Sequence, residues 1–324
     1  MNQKDTKQEF TILLPDVKTV DHDDLNMDEF RTLGRVLAYD MTDEKELAQR
    51  IVNADAIICN KTLMNENTLK DAKRLKYIGL FATGYNNVDL EYTKKRGITV
   101  CNAGQYSTHA VAQHTFALIL NHFNRIQEYS RFSEEGRWIG LSTFCPLIYE
   151  MQELAGKTIG IIGYGSIGRE VAKIAKAFSM HVLVYSRTKK EDEGIVNVSL
   201  SELAQKSDII TVHCPLNAQS EKMCNEAFFA ECKEGAYFVN TSRGGVVDEI
   251  ALRNAVLFGK LSGAGVDVIT EEPMKQDCPL YQVPNITITP HIAWAPRETR
   301  QRVVDIACGN LKNYLADVPT NVVS

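Results

Sequence analysis

The chain has 324 residues, 44% of them hydrophobic and 24% charged, with a net charge of −5. That length exceeds one ordinary core and suits two domains, and the mild acidity offers no attraction to nucleic acid or to an anionic membrane. Apolar runs stop at about half a dozen residues, as in FALIL at 116–120, well short of a bilayer span.

The N-terminus, MNQKDTKQEF, is polar and without the apolar segment of a signal peptide. Eight cysteines lie scattered with no C-x-x-C pair, which argues against a zinc ribbon or a redox couple. Reduced thiols in a cytoplasmic protein are the expectation. No metal site is expected either, because His109 and His114 would point about 140° apart on a helix and no H-E-x-x-H is present.

In chain order, FTILLP (10–15), DAIICN (55–60), RLKYIGL (74–80) and GITVCN (97–102) read as short strands, with helical segments such as DEKELAQRIVN (43–53) between them. Alternating β and α predicts a parallel sheet covered by helices. Residues 105–132 read as one long helix capped by Ser107 or Thr108. Its middle is apolar on almost every side, as in helices buried between domains or subunits. An irregular stretch (133–150) follows. A second α/β unit then carries strands at TIGII (158–162), HVLVY (181–185), IITVHCP (209–215), AYFVN (236–240), GAGVDV (263–268) and NITITP (285–290), and a terminal helix ends the chain.

Gly163, Gly165 and Gly168 stand in the order G-x-G-x-x-G between a strand and a helix, a context that makes a dinucleotide turn of Gly163, Tyr164, Gly165, Ser166, Ile167 and Gly168. The pyrophosphate would rest on the helix N-terminus. The next strand ends in Ser186, Arg187 and Thr188, where an acid usually holds the adenosine ribose. Hydroxyls and positive charge there suit the extra phosphate of NADP(H) over NAD(H); the alternative is a solvated loop with NAD bound through its other contacts.

In an open α/β sheet, ligands bind beyond the carboxyl ends of the strands. Arg243, with the cofactor-binding candidates Thr241 and Ser242 before it, follows AYFVN; Glu271 and Glu272 follow GAGVDV; His291 follows NITITP. Together they suit hydride transfer to a 2-oxo acid. A guanidinium holds the carboxylate and polarises the carbonyl, an imidazole passes the proton, and Glu272 orients and stabilises the imidazolium. Singly, each has a structural reading: ion-pair partner, strand-end cap, surface acid. Trp294 could wall a substrate pocket or simply pack.

TSRGGVVDEIALRNAV, GAGVDVITEEP, TPHIAWAPRE and FATGYNNVDLEYTKKRGITVCNAGQYSTHAVAQHTFALIL resemble the D-isomer-specific 2-hydroxyacid dehydrogenases, from about residue 55 nearly to the C-terminus. The resemblance implies two Rossmann-like domains, a flavodoxin-like substrate domain (1–102 and 292–324) and a dinucleotide-binding domain (103–291), with the active site in the cleft between them. It places the catalytic groups on Arg243, Glu272 and His291. The substrate carboxylate falls to the backbone of Ala82, Thr83 and Gly84, the nicotinamide amide to Asp267, and the adenine side to His213, Cys214 and Pro215. It further implies a homodimer built around the 105–130 helix. TGYNNVD with TPHIAW is most similar to the glycerate dehydrogenase (hydroxypyruvate reductase) branch. Glu272 stands where the formate dehydrogenase branch keeps a glutamine, which disfavours formate. A rival function within the family is a dinucleotide-sensing corepressor scaffold, against which stands the lack of a basic face or long disordered tails.

Overall fold

The computed structural model describes residues 9–324. The first eight residues of the 1–102 segment, and with them most of the polar N-terminal stretch, lie outside the described residues. The chain divides into two compact units: one runs to Ser107 and resumes over Ala295–Ser324, and the other is Thr108–Trp294.

The first unit is built on five parallel strands, β1 (Thr11–Leu14), β2 (Arg35–Ala38), β3 (Ala56–Cys59), β4 (Tyr77–Leu80) and β5 (Thr99–Cys101), in the order β2-β1-β3-β4-β5. β1, β3 and β4 are buried along their whole length, as a sheet covered on both faces requires. The edge strand β2 was not anticipated: RVLA is short and half exposed, so it carries no unbroken apolar signal. Asp43 starts the helix Glu44–Arg50 through a reciprocal capping box with Glu46. The terminal helix Arg297–Leu315 buries Val303, Val304, Ala307, Cys308 and Leu311 and sets Tyr314 against Tyr77 at 4.8 Å.

The second unit carries seven parallel strands: β6 (Thr158–Ile162), β7 (His181–Tyr185), β8 (Ile195–Asn197), β9 (Ile209–Val212), β10 (Ala236–Asn240), β11 (Leu261–Val266) and β12 (Ile286–Ile288). Their order is β12-β11-β10-β9-β6-β7-β8. This is the doubly wound arrangement with one added strand, and the order reverses between β6 and β9, where such sheets bind ligands. β8, another short edge strand, was also missed.

One expectation needs correcting here. The helix read as continuous over 105–132 is two helices, Thr108–Asn124 and Ile126–Glu134, broken at Arg125 with φ 51 and ψ 37. No glycine or proline marks that break. The guanidinium of Arg125 instead bonds the Glu150 carbonyl and the Glu128 carboxylate, which holds the corner. The apolar girth of the first helix is also accounted for inside its own unit. Ala112, Phe116, Leu118, Ile119 and Phe123 share a core with Ile159, Ile161, Tyr237 and Val239.

Candidate active site

The glycine turn after β6 has three steric reasons for its three glycines. At Gly163 φ is 94, and a Cβ would stand 2.6 Å from the Cys214 nitrogen, so the turns after β6 and β9 touch where the strand order reverses. A Cβ on Gly168 would lie 2.2 Å from the Gly163 carbonyl oxygen, which is how tightly helix closes on strand. At Gly165 a Cβ would meet nothing within 4 Å. Gly165 is the N-cap of the helix Ser166–Ala177, and no side chain among the described residues caps that helix. Its first-turn amides and positive end therefore face open space beside a residue with no side chain, a cradle that fits a pyrophosphate. The Tyr164 ring belongs to the core, with Arg169 5.0 Å from its centroid.

After β7, Ser186 Oγ donates to the Thr188 carbonyl at 2.6 Å. Asn197 grips Lys190 from both sides, accepting its N–H at 2.9 Å and donating to its carbonyl at 2.7 Å. The loop is thus anchored at each end while Arg187, Thr188 and Lys189 are exposed. Burial pushes the Cys214 thiol up, and the positive charge of Arg187 opposes that shift, so the guanidinium lies within electrostatic reach of the β9 turn. His213 is half-buried as a residue, yet both its ring nitrogens are sealed from solvent with no partner among the described residues. Burial alone pushes it down to about 3, so its ring is neutral. Two orphaned polar atoms beside a glycine turn suit a site completed by a polar ligand. Pro215 is exposed, its carbonyl taken by Ser220 Oγ.

Past β10, the buried Asn240 shapes the turn that carries Arg243. Its amide donates to the Arg243 carbonyl at 2.9 Å, and its oxygen accepts from Ser242 N and Oγ. Thr241 is likewise turned inward, to Thr115 Oγ1 at 3.0 Å. Gly244 permits the next contact, since a Cβ there would sit 1.9 Å from the Ile269 carbonyl carbon. The Arg243 turn is therefore pressed against the segment after β11. There Ile269 N donates to Glu272 Oε1 at 3.2 Å, and the other carboxylate oxygen of Glu272 holds His291 Nδ1 at 2.7 Å. That bond leaves Nε2 as the imidazole's free end for chemistry. His291 adopts φ 54, and its own N–H is pinned to the Asp267 and Thr289 carbonyls.

Asp267 is 1% exposed. Its Oδ1 accepts from Thr289 Oγ1 at 2.6 Å and from Ile292 N at 2.9 Å, and its Oδ2 from Ala293 N at 2.9 Å. In the first unit, Ala82, Thr83 and Gly84 follow β4. Thr83 Oγ1 donates to the Gly104 carbonyl, Asn102 Nδ2 to the Thr83 carbonyl at 2.8 Å, and Ala103 N to the Ala82 carbonyl at 2.8 Å. The Ala82 and Thr83 carbonyls are thus satisfied, and the loop stands at the carboxyl end of β4 with Thr83 exposed.

The family model described as "D-isomer specific 2-hydroxyacid dehydrogenase, NAD binding domain" matches residues 116–293, more than half of the chain. A hydroxypyruvate reductase from Blautia hydrogenotrophica is 40% identical over 93% of this chain and 95% of its own length. The chain belongs to the D-isomer specific 2-hydroxyacid dehydrogenase family. Within that family it is also similar to a glycerate dehydrogenase from Methylorubrum extorquens, 36% identical over 86% of this chain and 88% of that protein. Among solved structures, an acyclic imino acid reductase (Bsp5) in complex with NADPH and D-arginine superposes with a TM-score of 0.86 at 32% identity, covering 97% of this chain and all of that one.

For this member of the family, sequence reasoning missed Asn240, Gly244, His114 and Thr289. Thr289 lies two residues before His291, which was a local hint. The contact between His114 and Thr289 spans 175 positions and had none.

Proposed function

We propose that the protein reduces a small 2-oxo acid, hydroxypyruvate or glyoxylate, to its D-2-hydroxy acid with NAD(P)H, and runs the reverse reaction. The observation that carries this reading is the 2.7 Å bond between Glu272 and His291 Nδ1, built at strand ends in the same unit as an uncapped glycine turn. The names of the similar reductase and dehydrogenase support the substrate class.

The bound dinucleotide supplies the hydride. Arg243 holds the substrate carboxylate and draws charge from the carbonyl. His291 gives its proton from Nε2 to the carbonyl oxygen, and Glu272 steadies the imidazolium before transfer and keeps the ring's orientation after it. The first unit is the substrate domain, and the amides of Ala82, Thr83 and Gly84 are its carboxylate ligands. The second is the nucleotide domain. The neutral His213, with Cys214 and Pro215, forms the adenine wall, and Asp267 stands on the nicotinamide side.

NADP(H) is the preferred dinucleotide. Arg187 is exposed at the end of β7, where an acid would repel a 2′-phosphate, and the anchored loop presents it beside Thr188 and Lys189. The protein works as a homodimer. Since the 108–124 helix is covered by its own sheet, the support for dimerisation comes from the segment after it, where Ile139, Phe144 and Leu147 are 85%, 91% and 83% exposed. The cytoplasm is its compartment, in keeping with eight free cysteines; no described helix is long and apolar enough to cross a membrane.

The test is a panel of 2-oxo acids offered with NADPH and with NADH, followed by the absorbance of the reduced nicotinamide. Turnover of hydroxypyruvate or glyoxylate, faster with NADPH, is expected. Tight dinucleotide binding with no turnover of any oxo acid would favour the sensing scaffold instead.

A further inference from the structure

We propose that His114 is a positioning residue for His291, acting through Thr289 and Asp267; this rests on the reading of His291 as the proton donor. His114 projects from the helix Thr108–Asn124, and its Nε2 lies 2.9 Å from Thr289 Oγ1 and 3.5 Å from Asp267 Oδ1. The Thr289 hydroxyl owns one hydrogen. Its 2.6 Å contact with Asp267 Oδ1, an oxygen already accepting from Ile292 N, takes that hydrogen. The hydroxyl must then accept from His114, so Nε2 carries the ring proton.

The consequence reaches the catalytic turn by two routes. Thr289 presents its carbonyl to His291 N at 2.9 Å, and Asp267 presents its own at 2.8 Å. The Asp267 carboxylate also holds Ile292 N and Ala293 N just beyond. Residues 291–293 therefore hang on the Thr289 and Asp267 carbonyls and on the Asp267 carboxylate, which the Thr289 hydroxyl braces, and His114 is the donor that fixes that hydroxyl. Without it the Thr289 hydroxyl is free to swing off Asp267, and the left-handed turn bearing the imidazole loses its brace. His109, on the same helix, faces Glu170 at 3.3 Å and takes no part in this chain of contacts.

The test is a double-mutant cycle on hydroxypyruvate reduction with NADPH, using His114→Leu, His114→Gln, His291→Asn and the pair His114→Leu/His291→Asn. His114→Leu should lower kcat about tenfold, the scale of one lost hydrogen bond. The KM for hydroxypyruvate and the Kd for NADPH should stay within about twofold, since the change falls on the seating of the His291 turn while Asp267 keeps its bonds from Ile292 N and Ala293 N. His114→Gln, whose amide nitrogen stands near the place of Nε2, should recover most of the loss. In the His291→Asn background, His114→Leu should cost nothing further. Equal losses in both backgrounds, no loss at all, or a loss that glutamine does not rescue would overturn the proposal. Near-wild-type turnover by His291→Asn alone is a separate failure, that of His291 as donor. If the leucine variant is unfolded, as NADPH titration would reveal, His114→Asn replaces it, because its shorter amide falls short of Thr289.

Discussion

Replacing Glu272 by glutamine removes one charge and one acceptor while keeping the length of the side chain. The carboxylate uses both oxygens, Oε2 for His291 Nδ1 at 2.7 Å and Oε1 for Ile269 N at 3.2 Å. An amide has a single acceptor oxygen, so in Glu272→Gln one of those two donors must face an NH2 group. A hydrogen bond to a charged partner contributes about 1.5–3 kcal/mol. The His291 and Glu272 side chains are 30% and 35% exposed, and solvent screening puts this pair at the lower end, about 1.5–2 kcal/mol. That amounts to a fall in kcat/KM of roughly 10- to 30-fold. Steady-state rates with hydroxypyruvate and NADPH measure it, and NADPH affinity from nicotinamide fluorescence should not move. Turnover within twofold of wild type, or a loss expressed wholly as weaker NADPH binding, would refute the role given to Glu272.

Arg187→Ala should weaken NADPH by about tenfold or more and leave NADH nearly unchanged, the effect of losing one charged hydrogen bond to phosphate; equal losses for the two would remove the phosphate from that loop. Gly165→Val should abolish dinucleotide binding with a thermal midpoint within about 2 °C of wild type, because its side chain enters open space. Gly168→Ala should instead cost about 1–3 kcal/mol of stability by overpacking, its methyl lying 2.2 Å from the Gly163 oxygen. The reverse ranking would contradict the assignment of the turn. Burial holds His122 down at about 4 and His213 at about 3, below the 6.5 of an ordinary imidazole, so on acidification the unfolded chain takes up protons first. The contribution of these two rings to stability should be flat above about pH 6.5 and fall below it by up to ~1.4 kcal/mol per pH unit for each ring, ending near each folded value. Urea midpoints of His122→Gln should decline less steeply than wild type between about pH 6.5 and 4; parallel curves would refute it.

The buried strands were legible because a parallel sheet covered on both faces needs unbroken apolar runs, and TILL, AIIC, YIGL and TIGII supply them. RVLA and IVN escaped notice because an edge strand needs neither length nor apolarity. The places of Arg243, Glu272 and His291 just past strand ends were legible, and β11 beside β12 is what lets Glu272 reach His291. Hidden from the sequence was how small polar side chains are spent. Thr241 and Ser242, expected among the cofactor contacts, close their hydroxyls on Thr115 and Asn240. The break at Arg125 was equally invisible, because a left-handed arginine held by a distant carbonyl leaves no local mark.

The φ of 54 at His291 narrows what that position can become. Histidine and asparagine tolerate this twist, whereas valine, isoleucine and threonine pay in backbone strain. An inactive control made with asparagine will report the loss of the imidazole alone, while one made with a branched residue will mix that loss with a deformed loop. Natural drift at this position faces the same filter, so a lineage giving up the imidazole has few one-step exits that leave the polypeptide sound.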